Sequence, residues 1–307
     1  MRLQLLMNDR TPNNKKSVLD TTKHANQFIK KRVIQNTHEV SDEDFNFIRD
    51  LVYKLSRISI GPNKRVMVLS RISRRMRALQ LDSIKAYCDY IKKPVGSKEL
   101  CALIDAISTN HTYFFREAQH FSYLTKQILN KRNEQSLSSF KVWSAASSSG
   151  EEPYSFGMAL MEHTRSTSGF NWRMDATDIS TTVLERAKKA CYPAHMLERV
   201  PDDYIKNYCT KKASDETFTI SKDIQRRIQF QQANLFELPA SIASDYDLIV
   251  CRNVMIYFDR TTREQLIGSL TRRLKPNGTL FVGHSESLNG IHTNLKMICP
   301  AIYKKNL

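Results

Sequence analysis

From residue 41 onward, apolar residues recur at the spacing typical of helices. In the segment SDEDFNFIRDLVYKLSRI, a capping serine and acidic residues precede Phe45, Ile48, Val52 and Leu55, which share one helical face. The segments KRVMVLSRISRRMRALQL and SKELCALIDAIS continue this pattern. The sequence therefore predicts an all-helical domain over residues 39–109, followed by a linker and a connecting helix over residues 110–139.

From about residue 140, short apolar runs alternate with helical stretches. KVWSAAS, WRMDATD, YDLIVCRN and TLFVGHS are predicted strands, and helices are predicted after Gly150, in STTVLERAKKA and in TTREQLIGSLTRRL, where Thr261 and Glu264 would form a capping box. This alternation predicts an α/β fold with a doubly wound, mostly parallel, Rossmann-like sheet over residues 140–307. About forty residues, 192–230, interrupt it, and there TFTISK and RRIQFQQA are predicted to pair within a small inserted β subdomain.

Basic residues are concentrated towards the start of the chain. The net charge is +16, and the first 100 residues hold 21 Lys/Arg against 10 Asp/Glu, so they contribute +11 of it. Residues 1–38, with eight Lys/Arg against two Asp and little apolar periodicity, are predicted to be a disordered basic extension. This charge favours acidic partners but does not choose among nucleic acid, anionic lipid and an acidic protein surface.

Composition removes several classes of protein. With 9 Gly and 9 Pro in 307 residues, the chain is neither collagen-like nor of low complexity. No apolar run approaches the roughly 20 residues of a membrane span, and the start of the chain does not resemble a secretory signal, so we expect a cytoplasmic protein without membrane insertion. The six cysteines show no CxxC or His-paired spacing, so neither a metal site nor a disulfide framework is predicted.

Ligands of open α/β sheets bind beyond the carboxyl ends of the strands, so residues there are the first candidates for chemistry. SAASSSGEEPYS, residues 144–155, runs from a predicted strand through small residues into a helix whose free N–H groups suit an anionic group. It matches neither GxGxxG nor a P-loop and contains no Lys, which argues against a nucleoside triphosphate. Glu151 and Glu152 would accept hydrogen bonds from a ligand ammonium, or are ordinary acidic residues of a first helical turn.

Asp178 ends the second predicted strand, 28 residues after Gly150. A carboxylate at this position accepts hydrogen bonds from ribose hydroxyls in nucleotide-binding sheets. Because Asp-Ile-Ser is equally suited to cap the next helix, both interpretations stay open.

Two later segments bring polar groups to strand ends. Asn234 follows the strand RRIQFQQ, and CRNVMIYF, residues 251–258, places Arg252, Asn253 and Tyr257 after YDLIV. The combination suits a ligand of the size of adenosine.

The segment NHTYFFRE, residues 110–117, joins the helical region to the sheet. It either offers Asn110, Thr112 and Arg116 to a ligand or is a hydrophobic linker between domains.

Five motifs together resemble the chemotaxis receptor methyltransferases, the CheR family: NHTYFFREAQHF, VWSAASSSGEEPYS, ATDISTTVLERA, CRNVMIYFD and LKPNGTLFVGHSES. The resemblance spans residues 41–307, and five motifs in the same order and spacing are far more specific than one. It implies a methyltransferase domain that uses S-adenosylmethionine to methylate glutamate side chains on the cytoplasmic helices of chemoreceptors. The products would be glutamyl methyl esters and S-adenosylhomocysteine.

The resemblance also implies roles for individual residues. Arg116 and Tyr257 match the positions beside the transferred methyl group, and the basic helix around Arg71, Arg74 and Arg77 matches a region that recognises the receptor. The implied cofactor-binding positions are Asn110, Thr112, Arg116, Glu151, Asp178, Asn234, Leu235, Arg252 and Asn253.

The chemistry of the resemblance agrees with the residues present. A carboxylate is already an anion at neutral pH, so its attack on a sulfonium methyl group needs no general base, only in-line approach and exclusion of water. We hypothesise that Arg116 orients the substrate glutamate or a ligand carboxylate and that the Tyr257 hydroxyl fixes the approach angle. An acidic coiled-coil partner would make the activity fall as salt rises.

The sequence departs from the family pattern in places. The turn before GEE often reads STG in the family and reads SSSG here. The β subdomain is where some members bind a pentapeptide at a receptor's C-terminus, but TKKASDETF has no Gly-rich turn, so no such tether is predicted. Residues 1–38 are not part of the shared pattern.

Two other functions stay open at this point. The charge of +16 would suit a methyltransferase that acts on RNA or DNA, although the basic helix, residues 64–77, has no aromatic residues for stacking on bases. The other alternative is a scaffold that associates with receptors and has the same fold without turnover. Because Arg116, Asp178, Asn253 and Tyr257 are all present, the enzyme is favoured over the scaffold.

Overall fold

The computed structural model describes residues 40–131, 139–211 and 216–306. The predicted basic extension, residues 1–38, and the middle of TKKASDETF therefore lie outside the described residues. Within the described ranges, no helix is both long enough and apolar enough to cross a membrane.

The amino-terminal part is a helical unit with a core of its own. Ser41 caps its first helix by accepting a hydrogen bond from the Asp44 N–H at 3.0 Å, as predicted. Val52, Ile72 and Leu103, from three different helices, are completely buried where the apolar stripes meet. The helices are α1 (Asp42–Ser56), α2 (Arg65–Ala78), α3 (Ile84–Lys92) and α4 (Ser97–Ile107).

After the linker, the described residues contain six further α-helices, most of which alternate with the strands. The helices are α5 (Ala118–Tyr123), which continues as a π-helical stretch over Leu124–Leu129, α6 (Glu151–Ser166), α7 (Thr181–Lys189), α8 (Asp202–Tyr208), α9 (Lys222–Gln225) and α10 (Arg260–Arg273). The strands are β1 (Ser139–Ser144), β2 (Asn171–Asp178), β3 (Cys191–Pro193), β4 (Cys209–Lys211), β5 (Thr217–Ile220), β6 (Ile228–Gln232), β7 (Tyr246–Cys251), β8 (Leu274–Val282), β9 (Leu295–Cys299) and β10 (Ile302–Lys305).

In the described residues, seven strands form one twisted sheet in the order β6-β2-β1-β7-β8-β10-β9. The first five pair in parallel, and β10 and β9 complete one edge in antiparallel fashion. The predicted doubly wound, mostly parallel sheet is confirmed. Because the chain runs outward from β1 to β2 and β6 and then restarts at β7, the strand order reverses between β1 and β7.

The inserted part contains a small antiparallel sheet of order β3-β5-β4. The predicted pairing of TFTISK with RRIQFQQA is wrong, because β5 pairs with β3 and β4, whereas β6 pairs in parallel with β2 at the edge of the main sheet. The short helix α9 separates β5 from β6 and redirects the chain, so that the two strands do not form a hairpin.

One predicted cap is also wrong. Helix α10 begins at Arg260, and its cap is Asp259, whose Oδ1 accepts the Thr262 N–H at 2.8 Å. Thr261 therefore lies inside the first turn and does not cap the helix. Asp259 is as good a capping residue as Thr261, and the local pattern alone does not distinguish them.

Hydrogen bonds join the helical unit to the loops at the carboxyl ends of the strands. Asn234 Nδ2 donates to the Leu55 carbonyl at 3.0 Å, and the Ser59 N–H donates to the Tyr257 carbonyl at 2.8 Å. The Tyr53 hydroxyl donates to Asp259 Oδ2 at 2.8 Å. The helical unit is thus held against the edge of the sheet where the ligands of such folds bind.

Candidate functional site

A cavity lies beyond the carboxyl ends of β1 and β7, where the strand order reverses. Ligands of open α/β sheets usually bind at such a switch point. Ser56 and Ile58 of the helical unit line one side, and the linker and the loops after β1, β2, β6 and β7 supply the rest. The predicted site residues that line it are Asn110, Thr112, Arg116, Asp178, Asn234, Leu235, Arg252, Asn253 and Tyr257.

The turn after β1 brings main-chain atoms to the cavity. Ala145, Ala146 and Ser148 line it with small side chains. Gly150, at φ 97°, precedes α6, and a Cβ atom there would lie 2.7 Å from the Tyr192 hydroxyl. The turn therefore needs glycine for both its conformation and its close contact with the insert.

Glu151 and Glu152 begin helix α6 and have different surroundings. Glu151 is buried outside the cavity lining and accepts a hydrogen bond from the Ser149 hydroxyl at 2.7 Å. Burial raises the pKa of the Glu151 carboxyl, and the Ser149 hydrogen bond opposes that rise. Glu152 lines the cavity instead and accepts hydrogen bonds from the Ser144 hydroxyl at 2.7 Å and from Arg252 Nε at 2.8 Å.

Asp178 lies at the end of β2 and faces the cavity. Its Oδ2 accepts the Ser148 N–H at 2.9 Å and its Oδ1 accepts the Ser180 N–H at 3.0 Å. Burial raises the pKa of the Asp178 carboxyl, and these N–H donors oppose the rise. The cap of α7 is Ser180, whose hydroxyl accepts the Val183 N–H, so Asp178 connects two loops of the cavity wall and does not cap the helix.

Arg252 is at the centre of a buried group of charged and polar residues. Its side chain is 2% exposed, and its Nη1 donates to the Arg116 carbonyl at 2.7 Å and to His120 Nδ1 at 3.1 Å. The same Nη1 lies 3.4 Å from Glu117 Oε2, and Nε bonds Glu152. Arg252 therefore fixes the linker main chain to the loop after β7 through charge-assisted hydrogen bonds.

The linker contains a turn at Phe114–Phe115 and two unusual backbone positions. Phe115 and Glu117 have φ values of 53° and 61°, in the left-handed region that costs free energy for these residues. The Arg116 guanidinium faces the cavity, donates to the His111 carbonyl at 3.2 Å and lies 5.5 Å from the centre of the Tyr113 ring. The linker is thus a shaped part of the site as well as a connection.

Asn253 and Tyr257 follow Arg252 in the same loop. Asn253 has φ 59°, and its Nδ2 lies 3.4 Å from Glu117 Oε1. Tyr257 is half-buried, with Lys64 Nζ 6.0 Å from the centre of its ring. Both residues therefore reach the cavity from a loop that also contacts the linker and the helical unit.

Asn234 joins two parts of the cavity wall through its side chain. Besides its bond to Leu55, its Oδ1 accepts the Phe236 N–H at 3.1 Å. The polar atoms of the Asn234 side chain are thereby engaged, and Leu235 and Phe236 add apolar surface to the same wall of the cavity.

One trio of side chains among the described residues has its ligand atoms close enough for a metal ion: Glu117, His120 and His284. The His120 and His284 rings are stacked, with centroids 5.4 Å apart and planes at 20°, so their in-plane lone pairs do not converge on one point. His120 Nδ1 already accepts from the Arg252 guanidinium, a cation that would repel a metal. Glu117 and His120 are therefore better placed to hold Arg252 than to bind an ion.

The basic helix α2 has both structural and exposed arginines. Arg71 donates to the Ala106, Ile107 and Ser108 carbonyls at the end of α4, which leaves it half-buried. Arg74 and Arg77 are exposed. Arg71 is thus a helix-capping residue in addition to any role in binding a partner.

Sequence reasoning gave no role to Glu117, His120 or Glu286, all of which lie in quoted motifs. Glu117 directly follows Arg116, and His120 ends NHTYFFREAQH. Their burial and their bonds to a loop more than 130 residues away are not visible in local spacing. The sequence offered one signal for them: they are polar residues inside specific motifs, at positions to which the motifs gave no role.

Comparison with known proteins gives the relatives of this chain. Residues 43–108 match "CheR methyltransferase, all-alpha domain", and residues 110–303 match "CheR methyltransferase, SAM binding domain". The chain is similar to the chemotaxis protein methyltransferase of Borreliella burgdorferi, with 37% identity over 87% of this chain and 95% of the relative. It is also similar to those of Salmonella typhimurium, at 35% identity over 86% and 90% of the two chains, and Escherichia coli, at 34% over 86% and 91%.

These matches cover both the helical unit and the sheet, and they agree with a cavity at the switch point of the sheet. The chain therefore belongs to the CheR family of chemotaxis methyltransferases, whose cofactor is S-adenosylmethionine.

Proposed function

We propose that this protein transfers the methyl group of S-adenosylmethionine to glutamate side chains on the cytoplasmic helices of chemoreceptors and forms glutamyl methyl esters. The observation that carries the proposal is the cavity at the carboxyl ends of the strands. Arg116 of the linker and Tyr257 of the loop after β7 both line it. The names of the relatives, chemotaxis protein methyltransferases, support the receptor as the class of substrate.

The residues present fit this cofactor. Ala145, Ile179, Leu235 and Phe236 give the cavity apolar surface for a purine. The Asp178 carboxylate accepts the N–H groups of Ser148 and Ser180, and its two oxygens together offer about four acceptor positions, which leaves capacity for a ribose hydroxyl. We assign the cofactor to Asn110, Thr112, Arg116, Asp178, Asn234, Leu235, Arg252 and Asn253, with Glu151 supporting the turn from behind the lining.

The reaction follows from charges. When bound, S-adenosylmethionine would supply the methyl group to a glutamate oxygen, and the electron pair of the broken carbon–sulfur bond would stay on sulfur, so that an anion and a cation would become two neutral groups. Loss of charge is favoured where water is excluded, because water stabilises the separated ions more than the products. Glu152 and Asp178 are engaged by the protein, which leaves the incoming glutamate as the nucleophile.

Arg116 and Tyr257 would position that glutamate. The Arg116 guanidinium makes one hydrogen bond, to the His111 carbonyl, among the described residues, so it has further N–H groups for a carboxylate. The Tyr257 hydroxyl would set the angle of approach. Both act by orientation, because a carboxylate needs no proton removed before it attacks.

The receptor would approach along the basic helix. Arg74 and Arg77 are exposed on α2. Arg71, Arg74 and Arg75 line a groove between α2 and α4 that reaches Asn110 at the cavity. An acidic helical surface complements this charge. The groove therefore offers a path from the partner surface to the site of methyl transfer.

The experiment is methyl transfer from labelled S-adenosylmethionine to a receptor cytoplasmic fragment, with DNA and RNA as separate acceptors. We expect label on the receptor fragment that mild alkali releases. This labelling should be lost when the acceptor glutamates are changed to glutamine. Arg116→Ala should abolish turnover while the thermal midpoint stays close to that of the unmodified protein. Alkali-stable label on nucleic acid, or no transfer to the receptor by a protein that binds S-adenosylhomocysteine, would refute the proposal.

A further inference from the structure

The loop after β7 bears much of the site yet has few hydrogen bonds of its own. Residues 252–258 contain Arg252, Asn253 and Tyr257, and their only regular element is the 3-10 turn Met255–Tyr257. A turn this short leaves its first N–H groups without internal partners. Asn253, at φ 59°, also needs support from its surroundings.

Glu286, in the turn that follows β8, supplies those partners. Its Oε2 accepts the N–H groups of Asn253 and Gly283, both at 2.7 Å. Its Oε1 accepts the Met255 N–H at 2.7 Å and lies 3.3 Å from the Ile256 nitrogen. One carboxylate therefore accepts the main-chain N–H of the strained residue Asn253, that of Met255 in the same loop and that of Gly283 in the neighbouring turn.

The setting of Glu286 is unusual for an acidic residue. Its exposed fraction is 5%, and the ion pairs among the described residues include none to Glu286. A buried carboxylate without a cation depends on N–H donors for its stability. The charge and the loop conformation therefore stabilise each other.

Gly283 makes this contact possible. A Cβ atom at Gly283 would lie 2.6 Å from Asn253 Nδ2 and 2.7 Å from Glu286 Oε2. Such distances require the loop or the carboxylate to move. In the segment GHSE, the absence of a side chain at Gly283 therefore leaves the space that the Glu286 carboxylate occupies.

We infer that Glu286 is a positioning residue for methyl transfer, which holds the loop 252–258 in the form that presents Arg252, Asn253 and Tyr257 to the cavity. This inference rests on the proposed function for its kinetic readout. It gives Glu286 no contact with substrate or cofactor, because Glu286 is not among the residues that line the cavity.

The test compares Glu286→Gln with Glu286→Asp and with Ser285→Ala, an exposed neighbour in the same turn. Gln keeps the shape but presents an NH₂ group to N–H groups that need an acceptor, whereas Asp keeps two acceptor oxygens on a shorter stem. For each variant, calorimetry with S-adenosylhomocysteine gives the affinity and the number of competent sites, and receptor methylation gives kcat per competent site and KM.

Glu286→Gln should lower kcat per competent site by roughly tenfold to a hundredfold, because small displacements of orienting groups have effects of this size. Its affinity for S-adenosylhomocysteine should also weaken, while KM for the receptor stays within about twofold, since the basic helix is untouched. Asp should recover part of the lost kcat, and Ser285→Ala should change nothing.

A purely structural role would reduce the number of competent sites and leave kcat per site unchanged. That result, or an unchanged kcat in Glu286→Gln, overturns the inference. If the Gln variant does not fold, the Asp variant decides by the same two measurements. An unmodified protein that binds S-adenosylhomocysteine without methylating receptors refutes the proposed function, whereas an active one with insensitive variants refutes only the role of Glu286.

Discussion

Replacing Arg252 by Met should destabilise the sheet domain strongly, because it would leave buried carboxylates without their cation. The Arg252 side chain is 2% exposed, and the side chains of Glu152 and Glu117 are 9% and 10% exposed. Removing one partner of such a pair costs about 3–5 kcal/mol, since the remaining charge keeps its desolvation penalty. The change also removes the donor to the Arg116 carbonyl.

The charge argument is tested with a second substitution. Glu152→Gln alone should cost about 1–3 kcal/mol, because it weakens the hydrogen bond to a charged donor. In the double variant no carboxylate remains at position 152, so the combined cost should fall short of the sum of the two by about 2 kcal/mol. Arg260→Met is the matched control, because Arg260 and its partner Glu264 are 73% and 41% exposed and such pairs contribute about 0–1 kcal/mol.

The assay is urea unfolding followed by tryptophan fluorescence. The two tryptophans of the chain, Trp143 and Trp172, are buried in β1 and β2, so they report the unfolding of the sheet itself. The slope of the unfolding free energy against urea concentration should be the same in the four variants and the unmodified protein, so that midpoints translate into free energies. If Arg252→Met costs no more than Arg260→Met, or if the two buried changes simply add, the account of the buried charges is wrong.

Three further predictions concern the turn, the buried histidine and the basic helix. Gly150→Ala should lower stability by about 1–3 kcal/mol in urea unfolding, because it combines strain at φ 97° with a 2.7 Å contact to Tyr192, whereas Gly61→Ala, with open space around its Cβ, should have little effect. Burial, together with the charge of the nearby Arg252, lowers the pKa of His120 to about 3. As pH falls, His120 is therefore protonated in the unfolded chain at a higher pH than in the folded protein. The free energy of unfolding should therefore fall as pH drops below about 6.5, by up to about 1.4 kcal/mol per pH unit from this group, and His120→Gln should show a shallower slope between pH 6 and pH 4 in the same assay. Arg74→Ala together with Arg77→Ala should raise KM for a receptor fragment at low salt and leave KM for S-adenosylmethionine unchanged; an equal effect at high and low salt would contradict an electrostatic role.

The elements of the fold were predictable where burial is uniform along a segment. Strand β7 is buried at every position, and its run YDLIVC reads as a strand without knowledge of its neighbours. Strand β6 is an edge strand, with one fully buried residue, Ile228, and its sequence does not say which sheet it joins. Pairing partners depend on the path of the chain in space, which the short helix α9 decides.

The site was predictable to the extent that it lies in local motifs. Arg116, Asp178, Arg252 and Tyr257 follow from strand ends and from the family resemblance, and the structure brings all four to one cavity. What each polar atom bonds was not predictable, because those partners come from distant segments. Asp178 holds the turn at Ser148, for example, a contact between two loops that only the folded sheet creates.

Two of the hydrogen bonds between the units, Asn234 to Leu55 and Ser59 to Tyr257, bear on whether the protein could work as two separate fragments. Each unit has a hydrophobic interior of its own, so severing the chain between residues 107 and 110 would be compatible with two folded fragments. Neither fragment would enclose the cavity, because Ser56 and Ile58 of the helical unit and Leu235 and Phe236 of the sheet domain all line it. The cavity is therefore formed jointly by the two units.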